Sequence, residues 1–178
     1  MANIPLIDPA QANASAKPLL DGVKRSFGAV PNIFKAMANS PATLDGYLAF
    51  AGALGKGGLD RKLREHIALA VAGINACTYC ASAHAAVGKS LGIGEAEARD
   101  NLLGKSAEPK VAAALTLARA LVTKRGRLSE ADFQAVRNAG YGDDAIVEII
   151  GHVALNIFTN YFNLAAGTEV DFPRFELT

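Results

Sequence analysis

The chain holds 178 residues, of which 51% are apolar, 20% charged and 7% aromatic, with a net charge of +1. This composition excludes a disordered chain, and at this length one domain buries roughly 70% of its unfolded surface without needing covalent staples. The charge balance excludes a protein built to grip nucleic-acid phosphates: the densest basic cluster, Lys124, Arg125 and Arg127, falls in a predicted loop.

Residues 1–15, with Pro5 and Pro9, read as an extended N-terminal arm, because proline fixes its own φ and drives its predecessor out of the helical region. Residues 16–178 then read as one helical domain. Pro18 to Phe27 is a first helix, ended at Gly28, and Pro31 and Pro41 stand near the starts of the next two, where a missing N–H costs nothing. Gly55, Gly57 and Gly58 break the third. Asp60 is the expected N-cap of a helix from Arg61 to Ala76, with Ile67, Val71 and Ile74 at helical spacing. A further helix is predicted from Cys77 to Leu91, another from Glu95 to Leu103, and one from Pro109 to Lys124 with Val111, Leu115, Ala118 and Val122 as its apolar stripe. Ser129 with Asp132 has the spacing of a capping box. Asp143 to Ala166 is the last long helix, its core face expected along Ile150, Val153, Ile157, Tyr161 and Leu164. No run alternates as a strand does, and 35 alanines favour helix. The fold class is therefore all-α, with seven to nine helices and no linker long enough to separate two domains.

Two stretches, Ile67–Gly88 and Ile149–Thr168, carry no formal charge and are about long enough to cross a bilayer. Each carries polar groups at a density that is expensive in lipid: Asn75, Thr78, Ser82 and His84 in the first, His152, Asn156, Asn160 and Asn163 in the second. A soluble helical core can pair such groups, so no membrane span is expected. The two stretches also echo each other, each entered by a Glu and ending near Ala-Ala, although their spacings differ. Two cysteines are too few for a disulfide-scaffolded secreted domain, and the first twenty residues lack the basic and apolar regions of a signal peptide; the expected location is the reducing cytoplasm.

Both cysteines fall in one motif, Cys77-Thr78-Tyr79-Cys80, at a predicted helix start, where unpaired N–H groups and the helix dipole favour thiolate. Three residues apart, the two sulfurs share a face and could close a disulfide. His84 lies one turn further on the same face, where an imidazole can accept a thiol proton or, protonated, steady a thiolate. The competing reading is zinc, with Cys77, Cys80 and His84 as ligands and His66, His152, Glu65 or water as the fourth; against it, the chain has no second ligand pair of the usual kind. Haem attachment would need His directly after the second Cys, and Ala81 stands there.

The pattern Glu65-x11-Cys77-x2-Cys80-x3-His84, set in REHIALAVAGINACTYCASAHAAVGKSLG, resembles the alkylhydroperoxidase D branch of the carboxymuconolactone decarboxylase superfamily. The flanks FGAVPNIFKAMANSPATLDGYLAF and VALNIFTNYFNLAAGTEVDFP are similar to those of its peroxidase-related subgroup, and the resemblance runs from about residue 20 to 173. It implies an all-helical, AhpD-like fold assembled as a homo-oligomer, trimer or hexamer, and a thiol-dependent reduction of hydroperoxides without a bound cofactor. It implies that Cys80 attacks the peroxide, that Cys77, the more exposed sulfur, donates a proton and resolves the sulfenate, and that His84 and Glu65 relay protons, Glu65 through water. It implies a dithiol reductant, a lipoyl group or a thioredoxin-like protein. Tyr79 stands where the best-known members carry His, removing one relay or orienting group. Tyr79, His152 and Asn156 are candidate pocket-lining residues, the polar stripe from His152 to Asn163 being read mainly as pairing across helices. Two other functions stay open: a lactone enzyme of the decarboxylase type, which needs no CxxC, and a non-enzymatic zinc-bound or redox-sensing oligomer.

Overall fold

The computed structural model describes residues 2–177. They form nine α-helices: α1 Lys17–Phe27, α2 Asn32–Met37, α3 Pro41–Leu54, α4 Arg61–Ile74, α5 Thr78–Ser90, α6 Glu95–Leu102, α7 Pro109–Thr123, α8 Glu130–Asn138 and α9 Asp143–Ala166, with no strand among the described residues. The boundaries follow local chemistry. Asp60 caps α4 by accepting from the N–H groups of Lys62 and Leu63, and Ser129 and Asp132 close a reciprocal capping box on α8. Pro41 and Pro109 open α3 and α7, and left-handed glycines, Gly28 and Gly167, terminate α1 and α9.

α4 is the axis of the fold. It packs against α5, α6, α7 and α9, and every residue from His66 to Ala72 is buried. Two apolar clusters meet on it. Leu69 and Ala72 face the first, with Leu20, Phe34, Met37 and Leu44 from α1–α3 and the start of α5. Ile67, Ala70 and Val71 face the second, with Leu115 and Ala118 of α7, Val136 of α8, and Ile149 and Val153 of α9. A helix apolar all round must be enclosed in this way. At Gly73 the approach is closest: a Cβ there would run into the backbone carbonyl of Leu102.

The stretches that echo each other in sequence fold differently. The first is broken into α4 and α5 by a reversal at Asn75–Cys77, whereas the second is one continuous helix of 24 residues. α9 also departs from its expected orientation. Of its predicted core face, Val153 is buried and Ile157 is half-buried against the same cluster, but Ile150, Tyr161 and Leu164 are exposed beside Val147 and Phe158. The buried face instead carries His152, Asn156, Thr159, Asn160 and Asn163 among the apolar residues Ile146, Ile149 and Val153. α9 is the one described helix long and apolar enough to cross a membrane; here its polar row is enclosed by α3, α4, α5 and α7.

Both ends of the described segment lie across the helices. Asn3 N–H donates to the Ala166 carbonyl at 2.7 Å, and Ile7 N–H to that of Lys35 at 3.1 Å. The segment after α9 crosses α5, where Phe175 N–H donates to Ser82 Oγ at 3.0 Å. The Gly73 contact makes a stability test: Gly73→Ala should cost about 1–3 kcal/mol, the usual range for overpacking a core, read as a lowered urea midpoint with unchanged slope.

Candidate active site

The reversal between α4 and α5 sets the site. Asn75 N–H still donates to Val71, Ala76 swings to a left-handed φ of 52°, and Cys77 N–H reaches back to the Ala72 carbonyl at 3.0 Å. A helix end of this kind usually places Gly at the left-handed position; Ala there carries backbone strain, held by the buried helices on either side. The outcome is that Cys77 becomes the N-cap of α5, its sulfur accepting from Cys80 N–H at 3.2 Å. Cys77 and Cys80 are joined in a disulfide, their Cα atoms 5.3 Å apart.

The same reversal folds α5 back along α4, so that Glu65 faces His84. Glu65 Oε2 accepts directly from His84 Nδ1 at 2.8 Å, where a bridging water had been expected. The carboxylate thereby fixes the tautomer and leaves Nε2 as the nitrogen that can take or give a proton. Both residues border a cleft of about 680 Å³ that also reaches Cys80, Tyr79, His152 and Asn156. Its apolar wall includes Phe34, Tyr47, Leu155 and Phe172.

Cys77, expected to be the more exposed of the two, is buried at 1% exposure as Cys80 is at 3%, and of the pair it is Cys80 that lines the cleft. Among the described residues no group of three or more His, Cys, Asp and Glu side chains is placed to hold a metal ion, so with both sulfurs in the disulfide the suggested zinc set is not assembled. His66 lies in the core, its Nδ1 paired with Asn101 Oδ1.

Tyr79 is a strut. Its hydroxyl accepts from Ile33 N–H at 3.2 Å and donates to Asp171 at 2.8 Å, while Phe172 meets its ring edge-on at 5.7 Å between centroids. Burial first, then the Asp171 hydrogen bond and charge, push its phenol well above the usual range, so it holds its proton. Tyr47 is pushed up to about 12, by burial and then by the charge of Glu65.

The polar row of α9 divides by role. Asn160 pairs across helices as expected, its Oδ1 accepting from Asn75 Nδ2 at 3.0 Å. His152, Asn156 and Asn163 border the cleft. Asn163 Nδ2 donates to Cys80 Sγ at 3.4 Å, a contact between residues 83 positions apart that periodicity could not reveal. His152 is buried with no partner for Nε2, and burial, then Arg64, hold its pKa below 6.5 against the opposing pull of Glu148 and Glu65.

An all-helical fold with a CxxC disulfide at a helix start, a His one turn on and a Glu facing it is an AhpD-like fold with the site residues the resemblance implies brought together. The comparisons agree. The profile of the Carboxymuconolactone decarboxylase family matches residues 41–123, which hold Glu65, Cys77, Cys80 and His84. The chain is similar to the alkylhydroperoxidase AhpD core structure of an uncharacterized peroxidase-related protein from Ralstonia eutropha JMP134, with a TM-score of 0.86 at 26% identity over 96% of this chain and 92% of that one. A peroxidase-related protein from Silicibacter sp. TM1040 gives 0.81 at 24% identity over 94% and 89%. The debrominase Bmp8 in complex with 2,3,4-tribromopyrrole shares the fold, with 0.80 at 19% identity over 94% and 91%. No curated protein matches. The family profile and the first of these structures support a place in the carboxymuconolactone decarboxylase superfamily, in its AhpD-like branch.

The buried, neutral His152 sets a pH dependence. Its folded pKa lies below its unfolded value, so as pH falls through 6.5 the unfolded chain takes up a proton that the folded chain refuses, and stability falls. Wild-type protein should lose more of its urea midpoint between about pH 7.5 and pH 5.5 than His152→Gln does.

Proposed function

We propose that the protein is a thiol-dependent peroxidase that reduces organic hydroperoxides through a Cys77–Cys80 disulfide cycle. The observation that carries this reading is the cleft that brings Cys80 together with the directly paired His84 and Glu65. In the reduced protein the Cys80 thiolate attacks the terminal peroxide oxygen: an S–O bond forms, the O–O bond breaks, sulfur gives up two electrons and the alkoxide leaves as an alcohol with a proton from His84. Glu65 steadies the imidazolium and returns the ring to readiness. The Cys77 thiol then attacks the Cys80 sulfenic acid, releasing water and restoring the disulfide before further oxidation. A dithiol of the lipoyl or thioredoxin-like kind reopens it by exchange, itself becoming a disulfide. The helix start supports the thiolate. In this reading residues 16–178 are the catalytic domain, residues 1–15 are its N-terminal arm, and the enzyme is a soluble protein of the cytoplasm.

Reduced protein mixed with one equivalent of an organic hydroperoxide should consume it and lose two hydrogens in intact mass, while Cys77→Ser should keep one oxygen on Cys80. His84→Gln should slow consumption by about 100-fold or more, the usual contribution of a general acid. Persistent peroxide with both thiols still reduced would rule the reading out. A lactone enzyme would keep its activity after both cysteines were replaced by serine.

The exposed apolar side of α9, with Val147, Ile150, Phe158, Tyr161 and Leu164, supports a homo-oligomer, trimer or hexamer, because a contiguous face of this kind is normally covered. Light scattering should give a multiple of 18.5 kDa for the wild type and a smaller species for Val147→Asp combined with Tyr161→Asp. A monomeric wild type would leave that face without this role.

A further inference from the structure

Asn163 touches the sulfur on which the cycle turns, and one end of its amide is left unmet. Nδ2 donates to Cys80 Sγ at 3.4 Å, whereas Oδ1 is buried with no partner. The residue is 4% exposed and borders the cleft. Asn101, away from the cleft, satisfies both ends, with His66 at its oxygen and the Lys105 carbonyl at its nitrogen; Asn160 leaves its Nδ2 unmet, but only Asn163 combines an unmet end with a bond to the sulfur and a place in the cleft wall. An orphaned carbonyl in a buried wall costs stability unless an occupant of the cleft supplies a donor.

We propose that Asn163 is a catalytic residue that holds both reacting atoms: its N–H steadies the Cys80 thiolate and its carbonyl oxygen accepts the O–H of the hydroperoxide. This inference rests on the peroxidase reading and adds to it the group that recognises the substrate. A hydroperoxide carries its one donor on the terminal oxygen, the atom the thiolate attacks. An amide bonded to sulfur through nitrogen and to that oxygen through its carbonyl sets the two side by side, in line for S–O bond formation. The proton stays on the transferred oxygen, so the resulting sulfenic acid keeps the same acceptor while the alkoxide takes its proton from His84. The hydrogen bond to sulfur strengthens when the sulfur is charged, which favours thiolate over thiol.

The first test needs no peroxide. In reduced Cys77→Ser protein, where serine can still cap α5, the pH dependence of Cys80 alkylation by iodoacetamide reports the thiol's pKa. Tyr47 on α3, Arg61, Arg64 and Glu65 on α4, Tyr79 and His84 on α5 and His152 on α9 border the same cleft and are common to every protein compared. Asn163→Ala should move the midpoint upward and slow alkylation at pH 7 about tenfold, through loss of one charge-assisted hydrogen bond. Asn163→Asp, of the same shape but charged and without the donor, should move it further. Above the midpoint, where every protein is thiolate, alkylation should be equal, yet Asn163→Ala should still react with an organic hydroperoxide roughly tenfold more slowly. An unchanged midpoint in both variants, with helical content retained, would overturn the proposal. A shifted midpoint in protein whose unsubstituted form is inert to peroxide would overturn the peroxidase reading and the carbonyl's role with it, so the two failures are distinguishable.

Discussion

Everything chemical in this protein depends on the reversal at Asn75–Cys77. Had α4 run on, Glu65 and His84 would lie on one rod, about 28 Å apart at the α-helical rise. The left-handed turn at Ala76 doubles the chain back, brings the two side chains into direct contact, and starts a new helix at Cys77. One backbone feature therefore supplies the Glu65–His84 pair and the helix terminus under the sulfurs. The turn is strained, and the strain is held because α4 is enclosed on all sides.

The site assembled around that turn is a mostly apolar cleft, and polar groups enter it from named positions. α4 gives Glu65, α5 gives Cys80 and His84, and α9 gives His152, Asn156 and Asn163. Tyr79 joins the helices to the segment beyond α9, through Asp171 and Phe172. Between the cysteines the chain thus has a phenol that holds its proton and braces the wall, while His84, paired with Glu65, borders the same cleft as Cys80.

Most of the helical architecture was legible because its punctuation is local. Asp60, Ser129 with Asp132, Pro41, Pro109 and Gly28 each act within a turn of where they stand, and the boundaries they imply hold to within a residue or two. The CxxC and the histidine one turn on are local as well. The partnership of Glu65 with His84 spans 19 residues and came from resemblance to a family, not from periodicity. Ala76 gave no signal, since alanine seldom marks a left-handed turn. α9 misled most: apolar spacing along Ile150, Tyr161 and Leu164 pointed inward, yet the fold buries the opposite, amide-rich face. Amides can be buried where they find partners, as Asn160 does with Asn75, or where they line a cleft, and neither condition is written into a single helix.

The glycine-rich loop between α3 and α4 looks like the most dispensable part of the surface. Arg64 donates to the carbonyls of Gly55, Gly57 and Leu59, while the Glu148 carboxylate accepts from the N–H groups of Gly58 and Leu59. Five backbone groups within five residues are thus committed to two side chains on the helices that wall the cleft. A residue added there would displace Arg64 and Glu148 together and loosen the seam between α4 and α9. For grafting a tag, a peptide or a permuted terminus, this exposed loop is among the least suitable places on the molecule, despite three glycines that advertise freedom.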